Sequence, residues 1–97
     1  MEMKTIAALV HDNAVKRGWW EDTRSVEELL CLVHSDILEA LWAFWNHDDD
    51  NFKEALADIV IRVFDMAEGL GINIEDAVKS KHSVNIDRPY RHGGKVC

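Results

Sequence analysis

An all-α fold, a four-helix bundle with an irregular C-terminal tail, follows from three observations on the sequence. Pro89 is the single proline, and four of the five glycines gather at positions 69, 71, 93 and 94. Apolar residues recur at helical spacing through the long segments between these breaks. Ninety-seven residues make one domain, 1–97, near the lower limit for a self-sufficient core, so a second subunit is expected to complete it.

The first helix is predicted over about residues 3–16, with Ile6, Leu9, Val10 and Ala14 as its apolar stripe and Gly18 as its stop. Ser25 opens the sequence S-V-E-E, a capping box in which Glu28 can reach back to the Ser25 N–H, and a second helix runs from there to about Trp45. The run NHDDDN breaks the pattern. Asp50 or Asn51 can cap a third helix over about 52–68, which Gly69 and Gly71 close. Asn73 caps a fourth, from Ile74 to about Asn85, and the tail 86–97 is irregular because Pro89 and the paired glycines do not sustain a helix. Short connections favour antiparallel neighbours.

Composition excludes several classes of function. Apolar residues at 47% describe a globular chain rather than a disordered one. A formal charge of −7 argues against a nucleic-acid polymer as partner, since neutralising phosphates requires lysine and arginine to dominate one surface. No spanning segment or signal peptide is read, so no membrane partner is expected. Cys31 within an apolar run and Cys97 at the end suggest neither a disulfide framework nor a zinc site, and a reducing cytoplasm fits that usage.

The segment HSDILEALWAFW carries the main chemical question. On a helical wheel Asp36 and Glu39 fall in the sector of Leu29, Leu32, Val33, Ala40 and Ala43, while Leu30, Ile37, Leu38, Leu41 and Trp45 make the opposite sector apolar too. A helix apolar nearly all round is expected to be buried nearly all round, and a buried carboxylate must be paired or bound to a metal. An exposed strip, or a buried ion pair with arginine or lysine, is the alternative. On the third helix Glu54, Asp58, Arg62 and Asp65 form a polar row opposite Leu56, Ile59, Val60, Val63 and Ala67, which by itself reads as a solvated face. If the second and third helices pack antiparallel, however, Asp58 and Glu54 could face Asp36 and Glu39 across an oxygen-rich pocket. Carboxylate oxygens without histidine or cysteine suit Mg²⁺ or Mn²⁺.

On the fourth helix Ile74, Val78, Lys81 and Asn85 share one narrow sector, which places Lys81 and Asn85 on the inward face, where they could meet a phosphate. Arg88, His92 and Lys95 follow in a tail whose Gly93 and Gly94 allow close approach to an anion. That tail reads equally as a disordered basic end. Four tryptophans, Trp19, Trp20, Trp42 and Trp45, point first to core or subunit interface and second to a wall for a nucleobase.

Three segments, HDNAVKRGWWED, DILEALWAFW and EALADIVIRVFDMAEGLGINIEDAVKSKHSVNIDRPYRHGGK, resemble the MazG-like nucleotide pyrophosphohydrolases of the all-α NTP pyrophosphatase superfamily. The most specific part is the ending K-x-x-x-N-x-x-R-P-Y-x-H-G-G-K, formed by Lys81, Asn85, Arg88, Pro89, Tyr90, His92, Gly93, Gly94 and Lys95. The resemblance implies a helical bundle assembling as a homodimer or homotetramer, with Mg²⁺, or Mn²⁺, held by carboxylates from two helices. It implies hydrolysis of a (deoxy)nucleoside triphosphate between the α and β phosphates to monophosphate and pyrophosphate. Carried over by position, the metal ligands are Asp36, Glu39 and Asp58, with Glu39 and Asp58 also catalytic. Lys81, Asn85, Arg88, His92 and Lys95 are expected at the nucleotide, together with Asn13 and Trp20 or its neighbour Trp19 from the opening segment.

The departures from the family pattern are specific. Asp36 stands for the first Glu of an E-x-x-E motif, one methylene shorter, and Trp42 stands where a third acid is frequent. The Glu of the second motif, E-x-x-D, falls on Ala55, which cannot ligate a metal. Glu54 is the nearest substitute ligand, about 100° round the helix from position 55. Three readings follow: an Mg²⁺-dependent pyrophosphohydrolase, a nucleotide-binding protein of the same fold with weak or lost turnover, and a helical protein-interaction module.

Overall fold

Four helices make up the secondary structure among the described residues: α1 (Met3–Lys16), α2 (Val26–Trp45), α3 (Asp49–Gly69) and α4 (Ile74–Ile86). The structure, a computed structural model, describes residues 1–22 and 24–89. Of the tail expected to be irregular over 86–97, Ile86 still belongs to α4 and residues 87–89 follow without helix, while residues 90–97, with the expected roles of His92 and Lys95, lie outside the described residues.

Local chemistry sets the helix starts. Ser25 Oγ accepts the Glu28 N–H at 3.1 Å, and Glu27 and Glu28 sit in the first turn of α2, where the helix dipole favours negative charge. Asn73 caps α4 in the same way, its Oδ1 accepting the Asp76 N–H at 3.1 Å. The third helix begins earlier than the predicted residue 52. Its cap is Asp48, not Asp50 or Asn51, and Asp48 Oδ1 accepts the Asn51 N–H at 3.1 Å. His47 explains the shift: its φ of 55° is left-handed, which turns the chain within Asn46–Asp48 and puts Asp48 at the cap position.

That tight reversal makes α2 and α3 antiparallel neighbours. Asp36 meets Arg62 near the middle of the pair, while Ala43 and Asn46 share a cavity wall with Asp48 and Asn51 near the connecting turn. Helix α3 is the hub, with α2 against one side and α1 against another, whereas α4 touches α1 and α3 only lightly. Among the described residues the buried apolar ones are the alanines Ala7, Ala40, Ala43, Ala55 and Ala67 and a single large residue, Leu29. Small residues let helix backbones approach closely. They also contribute little burial, about 0.8 kcal/mol per methyl-sized group against roughly 1.5–3 kcal/mol for a leucine.

The expectation that α2 is buried nearly all round is therefore not met within one chain. Leu30, Ile37, Leu38, Leu41, Trp42, Phe44 and Trp45 are all exposed, Trp42 at 61% and Phe44 at 62%. One neighbouring helix covers one stripe, and among the described residues α3 is the one extensive neighbour of α2.

Two further expectations are corrected. The polar row of α3 is not a solvated face throughout: Arg62 and Asp65 are half-buried and paired across helices, while Leu56 and Val60 on the opposite stripe are 46% and 48% exposed. Cross-helix pairing is what allows charges to sit there. Lys81 and Asn85 do not lie on an inward face either, because α4 meets the bundle by its first turn. Ile74 and Glu75 are half-buried, and everything from Asp76 to Pro89 is exposed.

Candidate functional site

A cavity of about 610 Å³ opens between α1, α2 and α3. Leu9, Val10 and Ala14 of α1 and Ile61 of α3 give it an apolar side, and Asn13 joins them from the same helix. The other side is charged: Asp36 and Glu39 come from α2, and Asp58, Arg62 and Asp65 from α3. Helical spacing explains the grouping, since Asp36 and Glu39 are i, i+3 and Asp58, Arg62 and Asp65 are i, i+4 and i+7.

Asp36 is the buried member of a two-pronged ion pair. Arg62 Nε donates to Asp36 Oδ2 at 2.7 Å, and Arg62 Nη2 donates to Oδ1 at 3.3 Å. The Asp36 side chain is 8% exposed and that of Arg62 is 28% exposed, so the base lies on the open side of the acid. The hydrogen bond to Asp36 is the main cause holding the guanidinium pKa above its ordinary value; burial opposes it, and the charges of Asp36, Asp58 and Asp65 reinforce it. The carboxylate in the apolar helix is thus neutralised by a partner on the next helix, the arrangement a buried charge requires.

Asp65 organises the approach to the cavity. Its Oδ1 lies 2.8 Å from His11 Nδ1 and accepts the Trp20 Nε1–H at 2.9 Å. His11 and Trp20 also meet edge to face, with centroids 5.2 Å apart. Trp20 packs directly on Gly69, where a side chain would overlap the indole. The adjacent Trp19 is the tryptophan that lines the cavity. Its ring lies 5.4 Å from the Arg24 guanidinium carbon and 5.7 Å from that of Arg62, and its carbonyl accepts the Arg24 Nε–H at 3.2 Å.

A second cavity, of about 310 Å³, lies farther along the same helix pair. Glu39 and Asp58 line both cavities, and Glu54, Trp42 and Ala55 line only the second. Ala55 is 6% exposed, so a methyl group and not a carboxylate stands at this place in the wall of the second cavity. As donors for a hard divalent cation these side chains fit in kind, being carboxylates that share a cavity. They do not form a closed cage: among the described residues no group of three His, Cys, Asp or Glu side chains is placed to hold one ion. Both oxygens of Asp36 are engaged by Arg62.

The structure brings together Asn13, Asp36, Glu39 and Asp58 in the first cavity and adds Glu54 in the second. It places Trp20 behind the cavity rather than on its wall. Lys81, Asn85 and Arg88 are exposed and line neither cavity. Arg62, Asp65 and His11 were not singled out as site residues by the sequence. One signal for Arg62 was available, because a buried Asp36 needs a cation and α3 carries only Lys53 and Arg62. A model described as the MazG-like family matches residues 21–96, which takes in α2, α3 and α4 and begins after Asn13, Trp19 and Trp20. No curated protein and no solved structure matches the chain.

Proposed function

The chain belongs to the MazG-like family, and from that premise we propose that it hydrolyses a (deoxy)nucleoside triphosphate to monophosphate and pyrophosphate. The observation that carries this reading is the pair Glu39 and Asp58. They come from facing helices, line both cavities, and make no side-chain hydrogen bond to a described residue. Mg²⁺ or Mn²⁺ bound there would neutralise the polyphosphate and acidify a water. Glu39 and Asp58 are the residues to hold it, with Glu54 as the third carboxylate of the second cavity.

The rest of the wall suits a nucleotide. Trp19 offers an aromatic face, Asn13 an amide, and Leu9, Val10 and Ile61 an apolar floor. Lys81, Asn85, Arg88, His92 and Lys95 enter this reading from the family resemblance alone. A second copy of the chain is the proposed cover for the apolar face of α2, giving a homodimer or homotetramer.

The test is incubation with a panel of dNTPs and NTPs, with and without Mg²⁺, scoring pyrophosphate against orthophosphate. Metal-dependent pyrophosphate from at least one substrate is expected. Ala55 in the cavity wall favours a second reading, nucleotide binding with little turnover. That reading predicts a thermal shift by nucleotide and Mg²⁺ without product. Neither product nor shift from any nucleotide would leave the interaction module, with the exposed α2 tryptophans as its surface.

A further inference from the structure

We propose that Asp36 is not a metal ligand but the anchor that aims Arg62, and that Arg62 is the group of the first cavity that contacts the phosphates of the ligand. The inference rests on the nucleotide reading above and departs from the role the family pattern gives to position 36.

The order of burial within the pair carries the argument. A carboxylate that serves a metal must present an oxygen to the cavity. Asp36 presents neither freely: Oδ2 accepts from Arg62 Nε at 2.7 Å, Oδ1 from Nη2 at 3.3 Å, and the side chain is 8% exposed. Arg62 is more than three times as exposed, at 28%, and is the one cation among the described residues lining that cavity. An arriving ligand therefore meets the guanidinium first.

Arg62 also has capacity left. Its Nη1 makes no hydrogen bond to a described residue, since only Nε and Nη2 are engaged. Trp19 stands 5.7 Å from its carbon, which restricts the plane of the fork as Asp36 restricts its edge. A guanidinium held at one edge and over one face presents its remaining N–H groups in a fixed direction, the geometry that suits a phosphate oxygen. Freed from Asp36, the same side chain would be drawn to Asp58 or Asp65, whose charges already act on it.

The test uses the full chain and two probes, Mn²⁺ alone and inorganic tripolyphosphate with Mg²⁺, each titrated calorimetrically. Asp36→Asn should hold Mn²⁺ within about twofold of the wild type, while Glu39→Gln and Asp58→Asn weaken it by about tenfold or more. Tripolyphosphate should weaken by roughly tenfold in both Arg62→Gln and Asp36→Asn, and the double variant should be no weaker than Arg62→Gln alone, because one residue acts through the other. Arg62→Lys should recover part of the lost binding when Asp36 is present and none in the Asp36→Asn background.

If Asp36→Asn does not fold, the apolar replacement Asp36→Leu with Arg62→Met takes its place, since such swaps are tolerated where single removals are not. Mn²⁺ binding by that protein at the wild-type level supports the proposal. Loss of Mn²⁺ in either Asp36 variant alongside Glu39→Gln overturns it, as do additive losses of tripolyphosphate binding. A wild type that binds neither probe removes the functional reading and this inference together, whereas a wild type that binds both with Arg62→Gln unchanged removes the inference alone.

Discussion

Replacing Gly69 by alanine tests how the wall of the cavity is held. Gly69 is the last residue of α3, and a methyl there would overlap Cη2 of Trp20 and sit 2.5 Å from Cζ2 and 2.7 Å from Cζ3. The obstacle is a rigid ring. It is fixed by the Nε1–H donated to Asp65 at 2.9 Å and by the edge-to-face contact with His11 at 5.2 Å, so it cannot move without losing both. Overpacking costs about 1–3 kcal/mol. Breaking a hydrogen bond to a charged acceptor costs a further ~1.5–3 kcal/mol. Against these stands a helix-propensity gain of at most about 1 kcal/mol, smaller at a helix end.

The net loss is roughly 2–5 kcal/mol, and at ~4–8 °C per kcal/mol for a domain of this size the melting temperature should fall by about 10 °C or more. Thermal unfolding followed by circular dichroism measures it. Gly71→Ala is the control: Gly71 has a φ of +73° and open space around it, so its cost of about 1 kcal/mol comes from the backbone alone. A second check is Trp20→Phe, which shortens the ring; Gly69→Ala should cost markedly less in that background. A Gly69→Ala protein that melts at or above the wild-type temperature would refute the packing argument and the account of how Trp20 is held.

Arg62→Met should destabilise the fold by about 3–5 kcal/mol by leaving Asp36 buried and unpaired, and adding Asp36→Leu should recover most of that in urea unfolding. Equal stability of the single and double variants would contradict the buried pair. Ala55→Glu, which adds a carboxylate to the wall shared with Glu39, Glu54 and Asp58, should raise metal-dependent turnover; a variant no faster than the parent counts against a site limited by that position. The proposed oligomer should sediment as such in the wild type and as a monomer in Trp45→Glu with Leu38→Glu, since both side chains lie on the exposed face of α2. A monomeric wild type would refute the proposed cover.

The helices were legible because their signals are local. Ser25 and Asn73 each cap the helix that the sequence assigns them, and the glycine pair near 70 stops α3 where expected. The start of α3 was not legible, since three successive aspartates are equivalent candidates and the choice of Asp48 depends on the turn at His47. Periodicity has a similar limit at the site. It shows which residues share a face, not whether a helix lies against it. Glu54, Asp58, Arg62 and Asp65 were a visible row, but only the packing of α1 and α2 turns Arg62 and Asp65 inward. Conversely, Ile74, Val78, Lys81 and Asn85 were a visible stripe with no helix to meet beyond its first turn.

The first cavity assigns different work to its carboxylates, and this gives the proposed metal dependence a physical basis of its own. Asp36, Glu39, Asp58 and Asp65 face one guanidinium, Arg62, so four negative charges against one positive leave three in excess. Asp36 is paired with Arg62, and Asp65 is bonded to Trp20 and in contact with His11. Glu39, Asp58 and Asp65 carry the three excess charges, and of these only Glu39 and Asp58 make no side-chain hydrogen bond to a described residue. A bare polyphosphate is repelled by them: like unit charges ~8 Å apart cost about 2 kcal/mol at an effective dielectric constant of 20. A divalent cation reverses the sign of that interaction and uses the same two carboxylates to do so. Asp58→Asn should therefore act in opposite directions on two affinities. Tripolyphosphate without metal should bind roughly tenfold more tightly than to the wild type, because a repulsive charge is gone. Tripolyphosphate with Mg²⁺ should bind at least about tenfold more weakly, because a cation-holding oxygen is gone. Two shifts of the same sign would mean that Asp58 serves the fold and not the ligand.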